Sequence, residues 1–353
     1  MKLFDNKKYV SIDLGSREIK VIEGKATKKN INIQNAHIVK IPNDIYFNGM
    51  INNMDQLSYY LKTSLKDNKI KANDAILVIN SSNIIIREII LPKVSDEQIK
   101  SILSYQVEDY IPIEPEDYVF QYLHLGSVFE DGVEKLNISL IAIPKTIVES
   151  HLQLLDNIGL KPHVLDFQGN AINKLFNYNN MFNDSYTSNG KTVVSVDMGY
   201  SSTKINITLD GVLKVSRVIS ASLSQIIVEI QSLLEIHEDD IMNRIKNLDL
   251  NNDEIPNSIE DSTIISSLNN TLSLILDGVG MVINYYNTRD MGNRVDYILL
   301  QGGLSKINGI EDRFSTFFNT STFKLNSFDR IRTNVNMGEY SNAIGCLIRS
   351  NEV

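Results

Sequence analysis

The same alternation of apolar and polar positions appears once in each half of the chain. Tyr9-Val10-Ser11-Ile12 leads into Asp13-Leu14-Gly15-Ser16-Arg17-Glu18-Ile19-Lys20, and Val193-Val194-Ser195-Val196 leads into Asp197-Met198-Gly199-Tyr200-Ser201-Ser202-Thr203-Lys204. Each copy is followed by further β-patterned residues, Val21-Ile22 and Ile205-Asn206-Ile207. The pattern predicts a strand, a tight turn and a returning strand, with glycine where the turn needs a positive φ or a close approach. Between the copies, the β pattern continues from Asn32 to Pro42. Leu57, Tyr60, Leu61 and Leu65 set a helix over Asp55 to Lys69. The unbroken apolar run Ala75 to Ile79 predicts a buried central strand.

A separate block then begins. Ile84 to Leu91 reads as a strand, and Ser95-Asp96-Glu97-Gln98 as a capping box opening a helix whose face carries Ile99, Ile102, Leu103, Val107 and Tyr110. Pro112 and Pro115 are expected to stop that helix. Val119 to Leu125 and Leu136 to Ile143 form a strand pair around Glu130-Asp131-Gly132. Thr146-Ile147-Val148-Glu149 suggests a second capping box, with Gly159 closing its helix. Next come a strand at His163-Val164-Leu165 and an Asn/Ser/Tyr/Gly-rich linker over Asn177 to Lys191. The second half adds a strand over Val212 to Ile219 and two helical stretches around the polar loop Leu248 to Glu260, the second being long and buried over Ser266 to Thr288. A short buried strand, Tyr297 to Leu300, runs into Gln301-Gly302-Gly303-Leu304-Ser305. Phe314, Phe317 and Phe318 are expected in the core of the last large helix, and Asn342 to Cys346 forms the small face of another.

Composition narrows the class. With 353 residues, 42% hydrophobic and 22% charged, the chain is expected to be globular with two lobes. A net charge of −9 gives no basic footprint for nucleic acid. The single cysteine, Cys346, excludes a disulfide framework and fits a reducing compartment. The five histidines show no metal spacing. The N-terminal residues lack the apolar core of a signal peptide, and no apolar run is long enough to cross a bilayer. A soluble, cytoplasmic chain is the expectation.

The candidate chemistry lies in the two hairpins. Backbone N–H groups of such a turn make an anion-binding concavity, and a hydroxyl and a lysine at its rim suit a phosphate. The aspartate before each turn is placed to hold a hydrated Mg²⁺ beside that phosphate. A Gly-Gly pair where a strand opens into a helix lets a ligand lie against bare backbone. Asp166 and Gln168 could either orient an attacking water or serve structural hydrogen bonds.

Two Asp-x-Gly phosphate hairpins followed by a strand–Gly-Gly–helix motif resemble the actin/Hsp70/sugar-kinase ATPase fold. That resemblance implies an α/β protein of two lobes with a nucleotide between them. The block after Ile79 resembles the small α+β subdomain shared by the FtsA and PilM families. Ser11-Ile12-Asp13-Leu14-Gly15-Ser16, Ile89 to Pro92 before Ser95-Asp96-Glu97-Gln98, and Tyr110-Ile111-Pro112 before Tyr118-Val119-Phe120 resemble the type IV pilus assembly PilM family in particular. The implied division is 1–83 as the first part of lobe 1, 84–161 as the insert and 162–190 as the return to lobe 1 with the linker. Lobe 2 then spans 191–335, and a C-terminal helix over 336–353 crosses back to lobe 1.

The resemblance also implies site roles. Asp13, Gly15, Ser16 and Lys20 form the first phosphate loop; Asp197, Gly199, Ser201, Ser202 and Lys204 form the second. Gly302, Gly303, Leu304 and Ser305 form an adenosine loop. Lys246 falls at a nucleoside-contacting position, where Asn243 replaces the family's usual glutamate. The implied cofactors are ATP or ADP with Mg²⁺, held through water by Asp13 and Asp197, with slow or undetectable hydrolysis. The implied partner is the cytoplasmic N-terminal peptide of a PilN-like inner-membrane protein, in a groove walled by Ile84 to Leu91 and the helix Gln98 to Tyr110. Pilus motor or platform proteins and self-association are further implied contacts, with no nucleic acid and no membrane insertion. The protein would then sit at the inner face of the membrane through its partners. An FtsA-like filament protein, whose family usually ends in an amphipathic membrane helix, and a small-molecule kinase of the same superfamily are the alternatives.

Overall fold

The computed structural model describes residues 3–4, 7–111, 113–251 and 258–351. Pro112, named above as a helix stop, and 252–257 of the polar loop lie outside them. Along the first half run β1 (Tyr9–Asp13), β2 (Glu18–Ala26), β3 (Ile31–Lys40), α1 (Met54–Asp67) and β4 (Asp74–Ile79). Then come β5 (Ile85–Pro92), α2 (Asp96–Tyr110), β6 (Tyr118–Glu130), β7 (Val133–Pro144), α3 (Lys145–Asn157), β8 (Lys161–Phe167) and α4 (Gln168–Tyr178). The second half carries β9 (Thr192–Met198), β10 (Thr203–Leu209), β11 (Val212–Ile219), α5 (Leu223–Leu233), α6 (Glu238–Lys246) and α7 (Ile259–Arg289). It closes with β12 (Tyr297–Gly302), α8 (Ile310–Phe318), β13 (Thr322–Lys324), β14 (Ile331–Arg332) and α9 (Met337–Cys346).

The repeated sequence pattern folds into two sheets of matching topology. One has the order β8-β4-β1-β2-β3-β14 and the other β11-β10-β9-β12-β13. In each, three strands meander antiparallel, and the strand nearest the centre takes a parallel neighbour on its other side: β4 beside β1 and β12 beside β9. The two hairpins are in equivalent register, with Asp13 opposite Lys20 and Asp197 opposite Lys204. A lysine seven residues after each aspartate is therefore its direct cross-strand neighbour, which the spacing alone could not show.

Apolar burial divides into layers. Leu57, Leu61, Leu154 and Leu155 of α1 and α3 cover one face of the first sheet against Val10, Ile12 and Leu77. In the second half, Ile226, Ile230, Leu268, Ile275 and Phe314 cover Val194, Val196 and Ile205. Between the sheets lies a third core, where Ala171, Phe176, Ile344 and Cys346 of α4 and α9 meet Ile22, Ile76, Val193 and Leu299. Gly345 makes that helix crossing possible: a Cβ there would sit 2.1 Å from the Ala171 carbonyl oxygen.

Several expectations change. The capping box of Ser95 and Gln98 forms as read, with both reciprocal hydrogen bonds. The one at Thr146 does not, because α3 already starts at Lys145 with Pro144 as its cap. That helix buries Leu154 and Leu155 in the first lobe and Ile147 beside Ile141 of β7, so it joins the insert's sheet β5-β7-β6 to the lobe. Over Asn177 to Lys191 the chain is folded rather than loose. A short hairpin pairs Met181–Phe182 with Tyr186–Thr187, and Phe182 and Tyr186 join an aromatic cluster with Tyr297 and Phe323. Phe314 is buried but Phe317 is 54% exposed. The peptide groove expected between Ile84 to Leu91 and Gln98 to Tyr110 is filled: Ile89 and Leu91 pack there against Ile99, Leu103 and Val107 as a core.

Candidate functional site

The two hairpin turns face each other across a cleft of about 340 Å³. Neither Gly15 nor Gly199 is there for a left-handed φ. Both are required by closeness: a Cβ at 15 would lie 2.4 Å from the Glu18 carbonyl oxygen, and at 199 it would lie 2.9 Å from that of Ser202. The turns bring Gly15, Ser16, Gly199, Ser201 and Ser202 into the cleft lining. Lys20 and Lys204 line its floor from the returning strands, and the Lys204 Nζ stands 4.0 Å from Asp197 Oδ2.

Two carboxylates sit almost out of solvent at the base, Asp13 at 6% and Asp197 at 8% exposure. One amide joins them. Asn342 Nδ2 of α9 donates to Asp13 Oδ2 and to Asp197 Oδ2, each at 3.3 Å. Asn80 Nδ2 donates to Asp13 Oδ1 at 3.4 Å, and Gln168 Nε2 to Asp197 Oδ2 at 3.4 Å. Burial pushes the Asp13 carboxyl above the ordinary range, with Asp197 adding to the rise and Lys20 and Lys204 opposing it. The Oδ1 atoms of Asn342 and Asn80 are buried without a hydrogen-bond partner among the described residues. Such orphaned acceptors beside two carboxylates are what a hydrated cation would satisfy.

The third element follows β12. Gly302 has φ 85°, and a Cβ on it would fall 2.5 Å from Asp197 Oδ1. Gly303 meets nothing nearer than 4.0 Å, so the Gly-Gly pair leaves the cleft bare. Gly302, Gly303 and Leu304 line it, but Ser305 does not: its hydroxyl donates back to the Gly302 carbonyl at 2.7 Å. A single 3-10 turn, Leu304–Lys306, follows instead of a full helix. Opposite, α6 contributes Met242, Asn243, Ile245 and Lys246. At the mouth, Arg17 Nε lies 3.0 Å from Glu238 Oε1. Tyr200 donates to the same carboxylate at 3.1 Å.

Asp166 and Gln168 stand outside this cleft lining. Burial opposes the Asp166 charge, yet Lys174 and Asn170 bind it tightly enough to hold its carboxyl below the usual range. Gln168 is spent between Asp197 and Asn206. Sequence reading missed Asn342, which it placed on a helix face without chemistry, and also Asn80 and Tyr46, both of which line the cleft. Among the described residues no group of three or more His, Cys, Asp or Glu side chains has the arrangement of a metal site.

Residues 11–342 match the family described as Type IV pilus assembly protein PilM. The chain belongs to the PilM family. A solved PilM-PilN type IV pilus biogenesis complex is similar at 16% identity, with 97% of this chain and 98% of that one covered and a TM-score of 0.80. EutJ, the ethanolamine utilization protein from Carboxydothermus hydrogenoformans, follows at 10% identity and TM-score 0.55, with 98% and 92% covered. MreB 5 of Spiroplasma citri bound to AMPPNP stands at 12% identity and TM-score 0.53, with 97% and 94% covered. Among curated proteins no sequence match was found. This PilM-family chain thus has the actin-like ATPase fold, and no helix among the described residues is long and apolar enough to cross a membrane.

Proposed function

We propose that this protein binds ATP or ADP with Mg²⁺ between its lobes and, in that state, binds the cytoplasmic N-terminal peptide of a PilN-like membrane protein. The observation that carries the nucleotide reading is the paired geometry at the cleft base. Two hairpins in equivalent register bring Asp13, Lys20, Asp197 and Lys204 together around one bridging amide. The backbone of the turns and the two lysines would grip the phosphates, where exclusion of water strengthens their attraction. Asp13 and Asp197 would hold the water shell of the cation, consistent with Mg²⁺ sites that use one or two carboxylates plus phosphate. Gly302, Gly303 and α6 would take the nucleoside. AMPPNP in the similarly folded MreB 5 supports the nucleotide class; the PilM-PilN complex supports the partner.

Binding across the cleft would fix the angle between lobes, and partner affinity follows from whichever angle the peptide prefers. Isothermal titration with ATP and Mg²⁺ tests the first half of this reading. Lys204→Ala should weaken affinity at least tenfold, and Lys69→Ala, outside the cleft lining, should leave it unchanged; equal effects would sink the site assignment. Pull-down with a PilN-like N-terminal peptide, with and without ATP, tests the second half.

A further inference from the structure

A second groove, of about 540 Å³, lies between the inserted unit and the second lobe. Its walls are two strands that each close a sheet: β5 ends the order β5-β7-β6, and β11 ends β11-β10-β9-β12-β13. Five consecutive residues of each strand face the groove, 84–88 running into β5 and 213–217 from β11. Both edges therefore offer main-chain N–H and C=O groups without a strand partner among the described residues. Free edges of this kind are ordinarily blunted or covered.

The charge of the lining says what covers them. Arg87, Lys214, Arg217 and Arg289 face the groove against one carboxylate, Glu88, in a chain whose net charge is −9. Glu88 is already taken, 3.1 Å from Arg289. The Arg217 guanidinium lies 5.9 Å from the ring centre of Tyr285 and donates to the carbonyl of Ser216 on its own strand. That is a placeholder contact that an incoming carboxylate would replace with a charge-assisted pair.

We propose that this groove docks an extended acidic segment of a partner protein, which adds a strand between β5 and β11 while its carboxylates pair with Arg87, Lys214 and Arg217. Main-chain pairing supplies adhesion and the cationic rim supplies selectivity. The groove shares no lining residue with the nucleotide cleft, and its occupant tethers the insert to the second lobe.

The test uses the whole chain and two labelled ten-residue peptides. One alternates glutamate with valine and threonine; the other carries lysine at the glutamate positions. Anisotropy should show saturable binding of the acidic peptide, at least tenfold tighter than the basic one and weakening with added salt. Lys214→Glu with Arg217→Glu should cut it a further tenfold while nucleotide affinity is retained, and Arg217→Gln should move in the same direction. Amide exchange over 213–217 should slow when the peptide is present. Absence of saturable binding, or binding untouched by the reversals, overturns the proposal. So does a change in the reversed variant's oligomeric state without effect on the peptide, which would give the groove to a second copy of this chain.

Discussion

Asp13 is a buried acid with a second carboxylate beside it, bridged by a single amide. Its raised pKa means that the folded protein holds that proton more tightly than the unfolded chain. The sign follows: this group's contribution to stability declines as pH rises from the ordinary carboxylate value through the raised one. Asp13→Asn removes the decline, keeps one oxygen for Asn342, and turns its NH2 toward Asn80, whose unpartnered Oδ1 accepts it once that amide turns over. We expect the variant to melt about 2 °C higher at pH 7 without nucleotide, and to lose at least tenfold in Mg²⁺-dependent nucleotide affinity. Scanning fluorimetry and titration calorimetry check both, and a variant that is less stable at pH 7 yet binds normally would refute the assignment. The aspartates themselves were legible in the sequence because strand, turn and lysine recur at fixed spacing in both halves. Asn342 was not legible, because its partners lie 329 and 145 residues away, and its neighbours are the small and apolar residues of an ordinary packed helix.

At the level of elements, periodicity identified which segments are helices and which face each buries, but not the surface that receives the face. The apolar stripe of α3 is equally compatible with the insert or the first lobe, and the two share it: Leu154 and Leu155 go to the lobe, and Ile147 sits beside Ile141 of β7. Likewise, the stripes of β5 and α2 were read as walls of a groove, whereas each is the other's burial partner. Glycine positions in helices divide by the same criterion of what lies opposite. Gly345 abuts the α4 backbone, which cannot yield as a flexible side chain can. Gly345→Ala should therefore destabilise by about 2–3 kcal/mol, as overpacking of a tight crossing does. Gly280, in α7, would place its Cβ 3.7 Å from Phe318 Cε1, an ordinary contact. Gly280→Ala should stabilise by about 0.5–1 kcal/mol through helix propensity. Denaturant unfolding of the two variants distinguishes these outcomes; matched losses would mean that the crossing has room the geometry denies.

For the whole molecule, the two-lobe plan was legible because it is a duplication, and a duplicated pattern is the strongest long-range signal that a single sequence carries. What it could not reveal was that both catalytic candidates already have side-chain partners. Phosphoryl transfer to water needs an oriented water as well as phosphate clamps. Asp166 is held by Lys174 and Gln168 between Asp197 and Asn206, so neither of these two candidates is free to orient that water. Steady-state phosphate release from Mg²⁺ and ATP should run far below the order of 10 per second of ordinary kinases. A rate near that figure would restore the kinase alternative.

The core between the sheets has a consequence for how the fold is closed. Tyr9 and Ile22 of the first hairpin share a core with Ala343, Ile344 and Leu347, so the whole second lobe intervenes in sequence between the two sides of that contact. Without α9 the first sheet keeps one apolar face uncovered. A variant cut before Met337 should therefore be protease-sensitive rather than a stable half. The helix α9 works as a clasp: distant stretches of chain must meet before either is protected.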